Sequence, residues 1–255
     1  MESINAIYGH TAGGRTEDGV GKSIAIITAR GGSKRIPGKN IKEFCGRPII
    51  CYSIRAAIES GCFDEVMVST DDARIAEVAL KTGAKVPFFR SKDTADDYAV
   101  TSDVLKEVLC MYKDSGRLFD FGCCIYPTAP FVSAKIINEA MSLLVKDNAD
   151  TVLPVVAYSF PPQRAIVIKD GLAHMQFPEN LNKRSQDLEP IYHDCGQFYA
   201  FNIPAFLKSG ILMGEKVVPV IMDDLMVQDI DNESDWKIAE MKYQLVQGGM
   251  ALNEI

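Results

Sequence analysis

The segment 29–40 concentrates positive charge and glycine in a short stretch of the chain. Its glycines let the backbone bend and bring N–H groups close to an anion. It follows an apolar run, 23–28, whose three isoleucines and lack of charge indicate a buried parallel strand. Positive charge at the carboxyl end of such a strand predicts a phosphate-binding loop. We call residues 29–40 the basic loop, and its charges are those of Arg30, Lys34, Arg35 and Lys39.

Two common phosphate-binding motifs do not fit the basic loop. A P-loop requires four residues between its glycines, but five residues separate Gly32 from Gly38, and Asn40 stands where the hydroxyl residue is required. The dinucleotide fingerprint G-x-G-x-x-G is absent because Gly31 and Gly32 are adjacent. An NAD-linked oxidoreductase is therefore disfavoured. The alternative to a phosphate-binding loop is a solvated basic turn without a ligand.

A second polar cluster, 223–233, is acidic and lies near the end of the chain. If it is extended, strand period places the side chains of Asp229 and Asp231 on one face, where both carboxylates could bind one divalent cation. The same stretch suits the start of a helix over 232–247, with Asp231 as its N-cap. A calcium loop is excluded because Ser234 occupies the position that requires glycine. Asp231 could therefore be a metal ligand, a helix cap, or both.

Strand and helix patterns alternate along the first two thirds of the chain, which predicts a mainly parallel sheet with helices on both faces. The predicted strands are 23–28, 65–70, 85–89, 119–126, 151–156 and 196–201. The predicted helices are 48–60, 71–82, 101–115, 133–146 and 232–247. In such sheets, ligands bind beyond the carboxyl ends of the strands. That edge collects 30–40, 69–72, the residues from Arg90 onward, and 127–130.

The pattern changes over 157–195. Apolar runs on either side of a Lys-Asp-Gly turn, within 165–175, predict a hairpin. A hairpin and a long polar loop that protrude from an α/β domain form either a lid or an arm exchanged between subunits. Residues 1–22 show no periodicity and are expected to be a disordered extension, which leaves 23–255 as a single domain.

The composition limits the classes of protein. The 255 residues carry a net charge of −7 and are 47% hydrophobic, as in a globular protein long enough to bury a core. The negative charge disfavours nucleic acid as a partner. Nothing in the sequence approaches the roughly 18 apolar residues of a membrane helix. The seven cysteines, an odd number without a C-x-x-C pair, predict reduced thiols, no zinc site and a cytoplasmic location.

The sequence R-G-G-S-K-R-I-P-G-K-N in the basic loop resembles the signature loop of the nucleotidyltransferases that activate sugars. It is most similar to the cytidylyltransferases acting on sialic acids and related nine-carbon keto sugar acids, the nonulosonic acids, and the resemblance spans 24–247. It implies a Rossmann-like fold of the nucleotide-diphospho-sugar transferase type, with CTP and Mg²⁺, or Mn²⁺ in its place. It also implies a homodimer in which the inserted segment 157–195 helps to cover the partner's active site.

The resemblance implies a role for individual residues. The catalytic positions are Lys34, Lys39, Asp229 and Asp231, of which the two aspartates hold the metal. The nucleotide-binding positions are Arg30, Gly31, Gly32, Ser33, Lys34, Lys39, Asn40, Arg90, Ala99 and Thr101. The sugar-binding positions are Tyr126, Pro127, Thr128, Arg184 and Gln197. The anomeric hydroxyl is expected to attack the α-phosphorus directly, and the alternatives for its proton acceptor are a metal-bound hydroxide and Asp229.

Two departures separate this chain from the enzymes for sialic acid. Tyr126 replaces the glutamine before the P-T-S-P turn, which is P-T-A-P here, and Phe131 replaces an arginine after it. The sequences around Arg184 and over 192–199 look instead like the branch acting on pseudaminic acid, which is therefore favoured. Sialic acid, legionaminic acid and the eight-carbon acid Kdo stay open as substrates. A non-catalytic nucleotide-binding protein is the rival from another class.

Two further side chains could be mistaken for catalytic groups. His193 and Asp194 are adjacent in the sequence, and adjacent residues on a strand point to opposite faces, so they are not expected to form an acid–base pair. Cys195 has no base placed beside it and is expected to be a small apolar filler.

Overall fold

The computed structural model of the chain describes residues 21–95 and 99–253. Its strands are β1 (Ser23–Thr28), β2 (Glu43–Phe44), β3 (Arg47–Pro48), β4 (Glu65–Ser69), β5 (Phe121–Ile125), β6 (Thr151–Ala157), β7 (Ile166–Lys169), β8 (Leu172–Met175), β9 (Tyr192–Asp194), β10 (Phe198–Asn202) and β11 (Val217–Ile221). Its helices are α1 (Ile50–Ser60), α2 (Ala73–Thr82), α3 (Lys92–Ala95), α4 (Thr101–Asp114), α5 (Ala134–Lys146), α6 (Ile203–Ser209) and α7 (Glu233–Asn253). Among the described helices, none is long and apolar enough to cross a membrane.

Most of the predicted N-terminal extension, 1–22, lies outside the described residues. Its last two residues are described, and the backbone of Lys22 is already joined to the domain, because its N–H donates to the Asp120 carboxylate at 2.8 Å. The segment 96–98 also lies outside the described residues.

The central sheet has the strand order β11-β6-β10-β5-β1-β4, with β9 beside β6. Strand β1 is parallel to both β4 and β5, and β11 is parallel to β6. Strands β10 and β9 run antiparallel to their neighbours. The predicted mainly parallel sheet is therefore confirmed, with two reversed strands on the side from which the inserted segment emerges.

Helices cover both faces of this sheet, as predicted, because the strands are apolar on both sides. In β1, Ala25 and Ile27 belong to the apolar cluster beneath α1, α2 and α5. Ile24 and Ile26 alternate to the opposite face, where they pack with residues of α4 and α6. The two clusters fix β1 at the centre of the domain, with its carboxyl end leading into the basic loop.

One predicted element is wrong and another is shorter than predicted. The expected strand over 85–89 does not form, and only Lys85 makes an isolated bridge, to Met67. Pro87 lies in the middle of that segment and has no N–H to donate to a ladder. The predicted helix over 48–60 begins at Ile50, because Pro48 pairs with Glu43 in the small β2–β3 hairpin.

The inserted segment contains the predicted hairpin, formed by β7 and β8. Asp170 and Gly171 both have positive φ angles, 51° and 78°, which is the conformation that a two-residue type I′ turn requires. The hairpin exposes large apolar side chains, including Ile168 at 78% and Leu172 at 65%. We call residues 157–195 the arm.

The seven cysteines are free thiols in the structure, as the sequence predicts. Burial raises the pKa of Cys195 to about 12, so its thiol stays protonated and serves as apolar packing beside Val156 and Val227. The His193 ring contacts the backbone carbonyl of Asp194 rather than its carboxylate. Neither side chain forms the catalytic pair that adjacency in the sequence suggests.

Glu65 forms a buried ionic cluster at the amino-terminal end of β4, away from the basic loop. Its carboxylate is 1% exposed and accepts hydrogen bonds from Tyr112, Lys85 and Arg117 at 3.0, 2.8 and 2.9 Å. Burial alone would raise the pKa of Glu65, but these hydrogen bonds outweigh it and hold the pKa at about 2. The cluster links β4 to α4 and to the segment that leads into β5.

Replacing Glu65 with glutamine is expected to lower the free energy of unfolding at pH 7 by roughly 2 kcal/mol, with allowance for the solvent around the lysine and arginine. Because the folded-state pKa lies below the ordinary value of 4.5, this stability is present above pH 4.5 and is lost as the pH falls toward 2. Urea unfolding at several pH values measures it. Glu77→Gln, which removes an exposed pair with Lys81, is the control and should change little. Equal stability of the two variants would contradict the assignment.

Candidate active site

The basic loop is held in place by its own backbone and by one buried side chain. Its first residue, Ala29, donates its N–H to the carbonyl of Ser69 at the end of β4. Ile36 is fully buried in a third apolar cluster. Gly38 has a φ of 63°, a left-handed conformation that favours glycine, and it starts the short 3-10 helix that carries Lys39. These contacts define the shape of the basic loop.

The same third cluster holds the acidic segment against the loop. Its members are Ile36, Phe44, Ile49, Tyr52, Phe131, Ile230, Trp236 and Ala239. Ile230 is 1% exposed, so the aspartates on either side of it are directed away from the cluster. Two segments that lie 191 residues apart in the sequence therefore meet.

The acidic segment is not a strand, contrary to the extended pairing assumed for it. Residues 224–226 of the segment form a short 3-10 helix, and 227–231 are an unpaired stretch before α7. Burial of Ile230, rather than strand period, brings Asp229 and Asp231 to one cleft. The predicted N-cap at Asp231 is also wrong. Asn232 caps α7 instead, since its side chain accepts from the N–H groups of Ser234 and Asp235. The Asp231 carboxylate therefore takes no part in capping the helix.

The basic loop and the acidic segment contact each other and together line a cleft of about 440 Å³ beyond the carboxyl ends of β1 and β5. The predicted site residues that line it are Arg30, Ser33, Lys34, Lys39, Asn40, Tyr126, Pro127, Thr128, Asp229 and Asp231. Thr28, Arg35 and Gly196 also line it and were missed. Arg35 was counted among the loop's charges, but nothing in the sequence assigned it a partner. The position of Thr28 at the end of β1 could have identified it.

Lys39 lies at the centre of the cleft's charge distribution. Its ammonium donates a hydrogen bond to the backbone carbonyl of Ile230 at 2.7 Å, between the two aspartates. Burial lowers the pKa of Lys39, while Asp231 and Asp229 oppose that shift. A cation held by a backbone carbonyl next to two carboxylates is positioned to contact an anionic ligand in the cleft.

The two aspartates lie close enough to influence each other. Partial burial raises the pKa of Asp229, and the neighbouring Asp231 raises it further, whereas Lys39 lowers it. Asp231 also forms an ion pair with Arg35, with 2.8 Å between Nη2 and Oδ1. No third acidic, histidine or cysteine ligand joins them among the described residues. This donor set fits Mg²⁺, which keeps several waters and binds one or two carboxylates together with substrate phosphates.

The remaining loop residues have supporting roles. The Asn40 side chain, 6% exposed, donates to the carbonyl of Arg30 at 2.8 Å and so closes the loop on itself. The N–H of Gly31 donates to the Asp71 carboxylate at 2.8 Å. The expectation that the glycine N–H groups face a bound anion is therefore wrong for Gly31. Gly32 does not line the cleft, and a Cβ there would meet nothing within 4 Å.

Other predicted residues lie outside the cleft lining. Arg90 donates to the carbonyl of Ser69 at 2.8 Å, and burial lowers its pKa. Ala99 follows the undescribed segment, and Thr101 contacts the Tyr126 hydroxyl at 3.3 Å. Arg184 lies on the arm, 72% exposed and paired with Asp187. Gln197 is 1% exposed, and its amide donates to the carbonyl of Met226 at 2.7 Å.

Known proteins resemble this chain in sequence. The profile of the cytidylyltransferase family matches residues 24–209. Pseudaminic acid cytidylyltransferase of Campylobacter jejuni is 38% identical over 225 residues, which cover 88% of this chain and 97% of that protein. The CMP-N,N'-diacetyllegionaminic acid synthase of Legionella pneumophila is 34% identical over 234 residues, with the same two coverages.

The chain also resembles a solved structure, that of CMP:2-keto-3-deoxy-manno-octonic acid synthetase in complex with CTP. The TM-score is 0.63 at 17% identity, and the match covers 89% of this chain and 99% of the other. At that identity the likeness concerns the fold. It confirms the predicted Rossmann-like architecture of the nucleotidyltransferase type.

Proposed function

Because this chain belongs to the cytidylyltransferase family, we propose that it transfers the cytidylyl group of CTP to a nine-carbon keto sugar acid and releases pyrophosphate. One observation carries the proposal beyond the family. The Lys39 ammonium is fixed at 2.7 Å from the carbonyl of Ile230, in a cleft that the two flanking aspartates and the turn beginning at Pro127 also line. Cations and a metal-binding pair that line one cleft suit a nucleoside triphosphate.

Pseudaminic acid is the favoured sugar. The Campylobacter jejuni relative, at 38% identity, is a pseudaminic acid cytidylyltransferase. Tyr126 lines the sugar end of the cleft in place of the glutamine of the sialic acid enzymes. Phe131, which replaces their arginine, is 4% exposed in the third apolar cluster and serves packing rather than substrate binding. Legionaminic acid, N-acetylneuraminic acid and Kdo are the alternative acids.

The mechanism follows from the charges along the cleft. The anomeric hydroxyl of the sugar acid attacks the α-phosphorus of CTP, and its proton passes to Asp229 or to a hydroxide. The bond between the α-phosphorus and the departing pyrophosphate breaks, so negative charge grows on the pyrophosphate. Lys34 and Lys39 stabilise that charge, and the closed shape of the basic loop orients the triphosphate for attack. Mg²⁺ held by Asp229 and Asp231 would supply further neutralisation of the phosphates. No side chain has to form a covalent intermediate.

The arm supports the further proposal that the enzyme is a homodimer. Phe160 is 89% exposed and Ile168 is 78% exposed, and the hairpin that carries Ile168 projects a mainly apolar surface. A second copy of the chain would cover these side chains. Arg184 lies outside the cleft of its own chain, so its expected contact with substrate would be made in the partner's cleft. Light scattering should give twice the mass of the 28.1 kDa chain.

Pyrophosphate release tests the proposed reaction. The protein is incubated with CTP and Mg²⁺, and pseudaminic, legionaminic and N-acetylneuraminic acids and Kdo are supplied one at a time. We expect release with pseudaminic acid, none without a sugar acid, and none when EDTA removes the metal. Silence across the panel while CTP still binds would contradict catalysis and favour the rival, a nucleotide-binding protein without turnover.

A further inference from the structure

Tyr126 is the side chain at the sugar end of the cleft whose surroundings are most closely defined. Its hydroxyl is 3.3 Å from the Thr101 hydroxyl. Its ring meets the ring of Tyr199 edge-on, with the centroids 5.9 Å apart at 78°. An edge-to-face contact of this kind fixes the orientation of both rings. The position of the Tyr126 hydroxyl therefore depends on where Tyr199 is held.

Tyr199 is itself held by a carboxylate. It is 9% exposed, and its hydroxyl donates to Oδ2 of Asp194. Because an ionised carboxylate only accepts, the single hydroxyl proton of Tyr199 is committed to Asp194. The other oxygen of Asp194 accepts the N–H of Gly196 at 2.8 Å, and Gly196 lines the cleft. One carboxylate thus fixes both the tyrosine behind Tyr126 and a stretch of the cleft's backbone.

Strand register places these groups together. In the β5–β10 ladder Tyr199 is opposite Cys124, and the N–H of Tyr126 donates to the carbonyl of Gln197 at 2.8 Å. Cys124 and Tyr126 are two residues apart, so the side chains of Tyr126 and Tyr199 project from the same face of the sheet. The two tyrosines are diagonal neighbours, and their contact is built into the sheet.

We propose that Asp194 and Tyr199 are positioning residues that hold Tyr126 and Gly196 in place and so determine which sugar acid the cleft accepts. This inference rests on the proposed function, since it concerns selection of the sugar. Neither residue lines the cleft, so each acts through a neighbour rather than by touching the reacting atoms. Burial and the hydrogen bond to Asp194 raise the pKa of Tyr199, which keeps its hydroxyl protonated as a donor.

The test compares steady-state constants of single and double variants in the pyrophosphate assay. In Tyr199→Phe only the hydroxyl is lost, and we expect the KM for the preferred acid to rise about tenfold, as for loss of one buried hydrogen bond. The KM for CTP and kcat should stay within about twofold. Asp194→Ala should reproduce the effect. Asp194→Asn should restore the wild-type KM only in part, because its amide oxygen can accept the tyrosine proton while its NH2 group cannot accept the N–H of Gly196.

A double-mutant cycle separates positioning from a general structural effect. If Tyr199 acts through Tyr126, then Tyr199→Phe should add little to the KM of a Tyr126→Phe variant. Tyr112→Phe is the matched control, because Tyr112 is also a buried tyrosine that donates to a carboxylate, that of Glu65, in a remote cluster. It should lower thermal stability and leave every kinetic constant unchanged.

Three outcomes would overturn the inference. An unchanged KM for the sugar in Tyr199→Phe is one, and additive effects in the double variant are another. The third is an equal rise of the KM values for CTP and for the sugar acid that accompanies a loss of thermal stability. A wild-type protein that releases no pyrophosphate with any acid of the panel would overturn the proposed function itself. Active wild type with unaffected variants would overturn the positioning role alone.

Discussion

Lys39→Met is expected to lower turnover by roughly 10²–10³-fold while the fold is retained. The ammonium lies 2.7 Å from the Ile230 carbonyl in the cleft where, in the proposed reaction, charge develops on the leaving pyrophosphate. Burial lowers the pKa of Lys39, which means that the charged form is already costly to hold in the free protein. Removal of the ammonium should therefore not destabilise the domain, because methionine retains the apolar part of the lysine side chain.

The measurement for Lys39 is kcat for pyrophosphate release, with the melting temperature recorded in parallel. Lys42→Met is the matched control. Lys42 lies three residues further on and pairs with Glu233 at 2.7 Å, and it does not line the cleft. The Lys42→Met variant should keep turnover within a few-fold of the wild type. Near-normal turnover of Lys39→Met would refute the assignment of the cleft as the phosphate site.

Asp229→Asn is expected to lower turnover by a similar factor, roughly 10²–10³-fold, and to raise the concentration of Mg²⁺ needed for half-maximal rate. Burial and the neighbouring Asp231 raise the pKa of Asp229, and Lys39 opposes that shift only in part, so the repulsion between the two carboxylates is not fully offset in the free protein. Neutralising one of them should leave the melting temperature of the metal-free protein unchanged or slightly higher.

Titrating Mg²⁺ against rate for Asp229→Asn and the wild type measures this effect. Asp224→Asn is the control, because Asp224 is an exposed aspartate of the same acidic segment that does not line the cleft. Its dependence on Mg²⁺ should match that of the wild type. An Asp229→Asn protein with full turnover at ordinary Mg²⁺ would remove the metal role from this aspartate.

Much of the site could be predicted because its chemistry is local in the sequence. The basic loop follows a strand that its isoleucines identify, and the sheet edge gathers Lys39, Tyr126 and Thr128 once the alternation of strands and helices is recognised. The carboxyl ends of the predicted helices 48–60 and 71–82 are also confirmed, and a glycine follows each of them. Gly61 and Gly83 both adopt the left-handed conformation that ends a helix.

The errors arise where tertiary contacts, rather than local sequence, determine the position of a residue. Ile36 and Ile230 each look like an isolated apolar residue, and only packing into one cluster joins the loop to the acidic segment. The choice of Asn232 over Asp231 as the cap of α7 depends on how the chain enters that helix. Arg35 forms an ion pair with Asp231, a contact between distant segments that no local pattern encodes. Arg184 was placed by resemblance alone, and in a single chain it lies outside the cleft.

The fate of the α-phosphorus tests the central claim most directly. CTP labelled with ³²P in the α-phosphate is incubated with the protein, Mg²⁺ and pseudaminic acid, and a parallel reaction carries the label in the γ-phosphate. We predict that the α label appears in a sugar nucleotide and the γ label in pyrophosphate. Recovery of the γ label in the sugar would indicate phosphoryl transfer, and recovery of the α label only in free CMP would indicate hydrolysis. Either result would contradict cytidylyl transfer to the sugar acid.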